Sequence, residues 1–425
     1  MPAQEAPRPI GSPWWITPHG LTLGFLIPVL ILVAFAGRLN FPGLTVRGHI
    51  FLNDGYLLMA VLILGCIALG SWIGAKITPK LQSPDINAYL RAAFVVGVIG
   101  LLAYLYWFKA FFLSPALLLQ TLTGAYRPDR TDIGSTTGIT SLVNMTPVFF
   151  SIYTFHWVYS EKAMAARYHL LAAVLIVLTL FRVYAWSERL ALIEAAIPFA
   201  VAAGLKLSNG PATPAKRLGS LVGPFAAVPI LILYFGASEY FRSWQSGTYA
   251  GKTNFWEFAV GRFASYYYTS LNNGAGVLET LNWPSLRFEN TLLWVHKFPF
   301  GVGESFGLFV GYPKSEFNHF DQFLSKYVDL EFNNPSGIFS VVYDLGLPMG
   351  IVYFCLIAVV AGYTLNLYRQ RHPAGALIYP ILYLSFLEIF RYPYLGASRA
   401  FTWLVGIGLV FVLAALMKRP GKVIA

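Results

Sequence analysis

Charge and cysteine are both scarce in this chain of 425 residues. Only 12% of positions are charged, against about 25% in a typical soluble domain, and there are two cysteines. So little charge excludes an ordinary solvated surface. Cys66 and Cys355 each lie inside an apolar run, which argues against a disulfide framework and for packing. There is no Gly-rich phosphate loop of the Walker type, so ATP-driven transport is disfavoured. His296 and His319 have no partner at metal-ligand spacing, and no metal or other cofactor is expected. Short alternating segments of the β-barrel kind are missing too. Acidic residues number 19 against 30 Lys and Arg, a formal charge of +11. That excess does not imply nucleic acid, because the basic residues fall mostly in short connections between apolar runs.

What is present is 56% hydrophobic sequence in long runs. Several approach or exceed the ~17–20 apolar residues that cross a hydrocarbon layer of ~30 Å. The expected fold is an all-α polytopic membrane protein of about ten transmembrane helices, near 21–36, 57–73, 92–108, 139–159, 170–181, 190–206, 221–235, 346–368, 374–390 and 401–417. The first run leads into Gly-Arg-Leu-Asn rather than a small-residue cleavage site and reads as a retained span. Trp14 and Trp15 before it read as an interfacial anchor, and the broken apolar stretch 111–122 as a segment along the membrane surface. Ten spans put both termini on one side. The clusters Lys76/Lys80, Lys162/Arg167, Lys216/Arg217, Arg369/Arg371 and Lys418/Arg419 then share that side, which the positive-inside bias assigns to the cytoplasm. The chain divides into a membrane bundle over 1–236, a long outer loop over 237–345 with short or re-entrant helices, and a last membrane segment over 346–425.

The outer segments break the charge rule. They hold Arg38, Arg47, Arg127, Arg130, Arg182, Arg189, Arg242, Arg262, Arg287, Arg391 and Arg399. Planar guanidinium groups suit carboxylates and phosphates, so the set marks either an anion site or a group of salt bridges and headgroup contacts. Arg189 opens the sixth span, after Ser187 and Glu188 and before Glu194; a carboxylate inside an apolar helix needs a partner or water. Arg189 therefore either faces a site or pairs with Glu188 or Glu194. The run 255–281 reads as a helix carrying Arg262, Tyr266, Tyr267, Asn272, Asn273 and Glu279. Its tyrosines suit sugar faces, or form an aromatic belt. The loop ends in Asn333-Asn334-Pro335-Ser336-Gly337, followed by Asp344 at the mouth of the next span.

Three stretches together resemble the bacterial O-antigen polymerase (oligosaccharide repeat unit polymerase) family, with the O-antigen ligases as relatives. They are Trp186-Ser187-Glu188-Arg189-Leu190-Ala191-Leu192, the arginine- and aromatic-rich 261–279, and Asn333-Asn334-Pro335-Ser336-Gly337 with Tyr343-Asp344-Leu345-Gly346 and Gly350. Ligases carry a histidine beside an asparagine before the equivalent span, and here Asn333-Asn334 stands without one, which favours the polymerase. The resemblance implies inverting glycosyl transfer between polyprenyl-diphosphate-linked oligosaccharides at the periplasmic face of the inner membrane, without a cofactor. A chain-length regulator and a flippase of the same pathway would be its partners. A glycan ligase of similar layout, or a lipid-linked oligosaccharide flippase or other transporter, are the alternatives. The expected catalytic residues are Arg189, Arg262, Asp344 and Glu279, with Glu331 as a further base. Arg182, Arg242, Tyr266, Tyr267, Asn272, Asn273, Asn333, Asn334 and Ser336 are expected to hold substrate.

Overall fold

The fold is described from a computed structural model. It covers residues 11–38, 48–78, 84–126, 133–136, 138–160, 163–186, 188–209, 213–240, 244, 254–312, 319–328, 330 and 332–418. All regular structure among these residues is helical. Among the described residues, seven helices are long and apolar enough to cross a membrane: α1 (Pro18–Arg38), α2 (Asp54–Lys76), α3 (Ile86–Trp107), α7 (Ala166–Trp186), α8 (Arg189–Leu207), α15 (Leu347–Arg369) and α17 (Ser398–Leu416). An eighth, α9 (Pro214–Glu239), bends by 59° between Gly223 and Val228. Proline at 224 lacks the N–H that would continue the ladder there. The other two expected spans are shorter helices. One is α6 (Thr146–Tyr159), lengthened by a 3-10 turn over Thr140–Met145, and the other is α16 (Pro373–Leu387). The stretch near 111–122 forms α4 (Lys109–Leu113) and α5 (Pro115–Thr123), broken at Ser114, whose hydroxyl caps α5.

Local sequence sets the helix starts. Asn53, Asp85, Thr213 and Asn254 each accept backbone N–H groups of the first turn that follows. Packing then depends on small residues, since lipid-facing helices gain little from apolar burial against each other. Gly70 and Gly74 of α2 and Gly362 of α15 let two backbones meet. A Cβ on Gly74 would stand 2.0 Å from the Val359 carbonyl oxygen. Both cysteines lie in this contact as free thiols, with the Cys355 sulfur 3.7 Å from the Cys66 carbonyl.

Trp14 and Trp15 do not stand as a free anchor. Trp15 is buried against Gly204 and Gly223, and Trp14 Nε1 donates to the Leu221 carbonyl, because glycines on α8 and α9 leave a slot that a large ring fills.

Contacts between helix ends sort them onto two faces. On one, Arg91 at the start of α3 reaches the Met417 carbonyl after α17, and Tyr159 at the end of α6 donates to the Tyr368 carbonyl near the end of α15. We call this the basic face, since Lys76, Arg167, Lys206, Lys216 and Arg369 also lie at the helix ends here. The other is the loop face. It gathers the ends of α3, α7, α9 and α16 and the starts of α8 and α17. Above it lie α10 (Phe255–Thr280), α11 (Leu293–His296), α12 (Val302–Phe309), α13 (His319–Tyr327) and α14 (Gly337–Leu345).

Candidate functional site

Among the described residues, the loop face holds a largely buried network of five arginines and four glutamates. Arg189, the first residue of α8, meets Glu239, the last of α9, at 2.6 Å. Arg262 of α10 reaches the other oxygen of Glu239, also at 2.6 Å. Glu239 is fully buried and Arg262 nearly so. Thus two expected site residues from separate segments converge on a carboxylate that sequence reading had not placed with them. Arg189 Nη2 also donates to the Tyr266 hydroxyl at 3.2 Å, which brings a third expected residue in. The guanidinium carbon of Arg189 lies 4.2 Å from the Phe235 ring centre and 5.2 Å from that of Tyr266.

Glu188 and Glu194 do not pair with Arg189. Arg399, at the start of α17, grips Glu194 through Nε and Nη2, both at 2.8 Å, and reaches Glu188 at 2.6 Å. The Tyr394 hydroxyl donates to Glu194 at 2.8 Å. Arg182 donates to Glu188 at 2.5 Å and to Asn144 at 3.2 Å, with its guanidinium 5.1 Å from the Trp107 ring centre. Arg182 is therefore a buried strut between α7 and the start of α8.

A further pair is Glu388 and Arg391, at 2.8 Å. Arg391 lies 5.7 Å from the Tyr266 ring centre, so both Arg189 and Arg391 rest near the same ring. Tyr267 stands beside this pair; burial, with Glu388 adding to it, pushes its phenol up to about 12, which keeps it a neutral donor. Among the described residues, three buried atoms here have no hydrogen-bond partner: Arg189 Nη1, Arg391 Nε and the Tyr392 hydroxyl oxygen. Among the described residues, hydrogen bonds reach one oxygen of Glu388, whereas both oxygens of Glu188, Glu194 and Glu239 are engaged. Buried donors are almost always paired, so three unpaired ones in one region mark a place where a ligand's acceptors would fit.

The remaining expected residues have other roles. Asp344 is wholly buried in α14. It accepts from Asn290 N at 2.9 Å, Asn290 Nδ2 at 3.0 Å, Thr291 N at 2.7 Å and Thr291 Oγ1 at 2.8 Å. Burial outweighs those four donors and raises its carboxyl to about 6. A carboxylate so enclosed anchors the 290–291 turn, and the expected role as a base does not fit its geometry. Glu279 is exposed and accepts from the Tyr56 hydroxyl at 2.7 Å, outside the arginine network.

Asn272 accepts from the backbone of Phe51 and Leu52 and donates to the His49 carbonyl, tying that strap to α10 rather than facing a sugar. Asn273 donates to the carbonyls of Phe332 and Asn334. The turn at 333–336 lies against Gly274, where a Cβ would stand 2.6 Å from Ser336 Cβ. Ser336 is buried, caps α14 through its hydroxyl, and its N–H donates to the Arg391 carbonyl at 2.9 Å. This turn therefore braces Arg391 instead of binding substrate directly. Asn333 is exposed and Asn334 half-buried beside it. Arg242, Glu331 and Ser187 lie outside the described residues.

Sequence reasoning counted Arg391 and Arg399 among the outer arginines but did not join them with Glu239, Glu388 and Tyr392 in one network. The available signal was that charges at successive outer span ends recur with opposite signs. Among the described residues no cluster of His, Cys, Asp and Glu is arranged to hold a metal ion. Comparison with protein-family models, with curated proteins and with solved structures finds no match.

Proposed function

We propose that the loop face binds the diphosphate of a polyprenyl-linked oligosaccharide and transfers the glycan to a hydroxyl of a second lipid-linked unit, as a polysaccharide polymerase of the O-antigen type. The observation that carries this reading is the pair of buried guanidinium N–H groups near Tyr266, Arg189 Nη1 and Arg391 Nε, which have no acceptor among the described residues. In this reading the acceptor hydroxyl attacks the anomeric carbon as its bond to the diphosphate oxygen breaks. The configuration inverts, and the leaving diphosphate takes the bonding pair. Its charge grows in the transition state, where fixed buried donors stabilise it most. Arg189 and Arg391 supply those donors. Glu388, with an oxygen unengaged among the described residues, takes the proton of the attacking hydroxyl.

The basic face is then cytoplasmic and the loop face outward, in a bacterial inner membrane. The carbohydrate profile of a strain lacking the protein tests the class. The reading expects single repeat units on the carrier lipid, or single units on the lipid A core. Long chains retained on the carrier would indicate a ligase, and loss of all outward-facing lipid-linked units a flippase.

A further inference from the structure

The basic face holds clefts that the glycan-transfer reading does not use. One, of about 440 Å³, is lined by Arg91, Phe94, Val95, Arg167, Tyr168 and Met417. A second, of about 370 Å³, shares Arg91, Arg167 and Tyr168 with it and adds Asp85 and His156. Among the described residues, the two arginines are lightly engaged. Arg91 donates to the Met417 carbonyl at 3.0 Å, and the Asp85 carboxylate, 3.9 Å away, already caps α3. Arg167 donates to the Tyr168 hydroxyl at 3.3 Å and otherwise lies over the rings of Phe94 and Tyr168. Arg91 lies in the second turn of α3, at its basic-face end, where a guanidinium beside apolar side chains is stabilised by an anion or water.

We propose that this cleft holds the phosphate of an anionic phospholipid, bridged by Arg91 and Arg167. A lipid fits better than a soluble phosphate because the helix face that carries Arg91 is apolar beyond it and partly open. Val95, Val98, Leu102 and Leu105 follow Arg91 on α3 at spacings of four, three, four and three, which is one helix face. Leu102 and Leu105 are exposed. From Arg91 to Leu105 that face runs roughly 21 Å at the helical rise, about the reach of one extended acyl chain. Arginine's planar fork suits a phosphodiester, and Tyr168 with Phe94 holds the fork flat.

The test uses the full-length protein purified in a non-ionic detergent, with phosphatidylglycerol, phosphatidylcholine and inorganic phosphate as probes in native mass spectrometry. Phosphatidylglycerol is expected to bind with preference over phosphatidylcholine. The paired substitution Arg91→Gln/Arg167→Gln is expected to weaken phosphatidylglycerol binding on the order of 10- to 100-fold, the loss of charge-assisted bonds from two arginines. Arg167→Gln alone removes an exposed side chain and carries the test should the paired variant fold poorly; a loss of about tenfold is expected from it. Unchanged phosphatidylglycerol affinity in a folded variant overturns the proposal. So does equal binding of phosphatidylcholine. Inorganic phosphate binding as tightly as the lipid overturns the lipid assignment and makes the cleft a soluble-phosphate site.

Discussion

Replacing Arg399 by alanine is expected to lower stability by about 3–5 kcal/mol, the usual effect of breaking a buried ion pair from one side. Arg399 alone supplies three hydrogen bonds, two to Glu194 and one to Glu188. Without it, Glu194 retains the Tyr394 hydroxyl, Glu188 retains Arg182, and two buried carboxylates face each other with less compensation. Adding Glu194→Gln to Arg399→Ala removes one of those charges and is expected to recover part of the loss, a coupling that two independent sites would not show. Thermal unfolding in detergent reads both effects. If Arg399→Ala unfolds within a degree of the unsubstituted protein, the network does not hold α8 to α17 as described.

Asp344 separates an anchoring role from a catalytic one. Asp344→Ala leaves two backbone N–H groups, one side-chain amide and one hydroxyl without their acceptor. At about 1–3 kcal/mol for an unsatisfied buried group, with partial relief by water, a loss of about 2–4 kcal/mol is expected. Asp344→Asn should do far less. Its amide oxygen still accepts from Thr291, and Asn290 can turn its own amide to receive the new N–H. Activity should therefore survive in Asp344→Asn, whereas a general base would lose it.

The pH dependence follows from the same group. Its folded carboxyl is raised to about 6 from an ordinary value near 4. Its contribution to stability is therefore fully present below the ordinary value and is lost as pH rises through about 6. Hydrogen exchange of the 285–296 segment, corrected for intrinsic rate, should show that slope in the unsubstituted protein and not in Asp344→Asn.

The membrane helices were legible because an apolar run of sufficient length has few other outcomes. Their two faces were legible as well, since basic residues gather at one set of ends. The ion pairs were not. Glu194 and Arg399 are 205 residues apart and Glu239 and Arg189 are 50 apart, and no periodicity connects such positions before the helices pack. The polar loop residues misled for a physical reason. Asn272, Asn273 and Ser336 look like ligand groups in sequence, yet buried backbone in an irregular segment also needs donors and acceptors, and these side chains meet that need. Arg189, Arg262 and Tyr266 do lie together, Arg189 and Arg262 on one carboxylate and Arg189 on the Tyr266 hydroxyl. Their common partner was hidden at the far end of α9.

In the proposed reaction Arg189 acts on the leaving diphosphate and does not merely pair with Glu239. The direct measurement is polymerisation by purified protein reconstituted in membranes, at matched amounts of folded protein, comparing Arg189 with Arg189→Lys and Arg189→Ala. Lysine keeps the charge but not the fork whose Nη1 is open while Nη2 holds Glu239 and Tyr266. Loss of one transition-state donor of this kind costs about 2–4 kcal/mol, so Arg189→Lys is predicted to turn over roughly 30- to 1000-fold more slowly. Arg189→Ala should fall at least as far. Near-normal turnover by folded Arg189→Ala would contradict the account and leave Arg189 as a strut between α8 and α9.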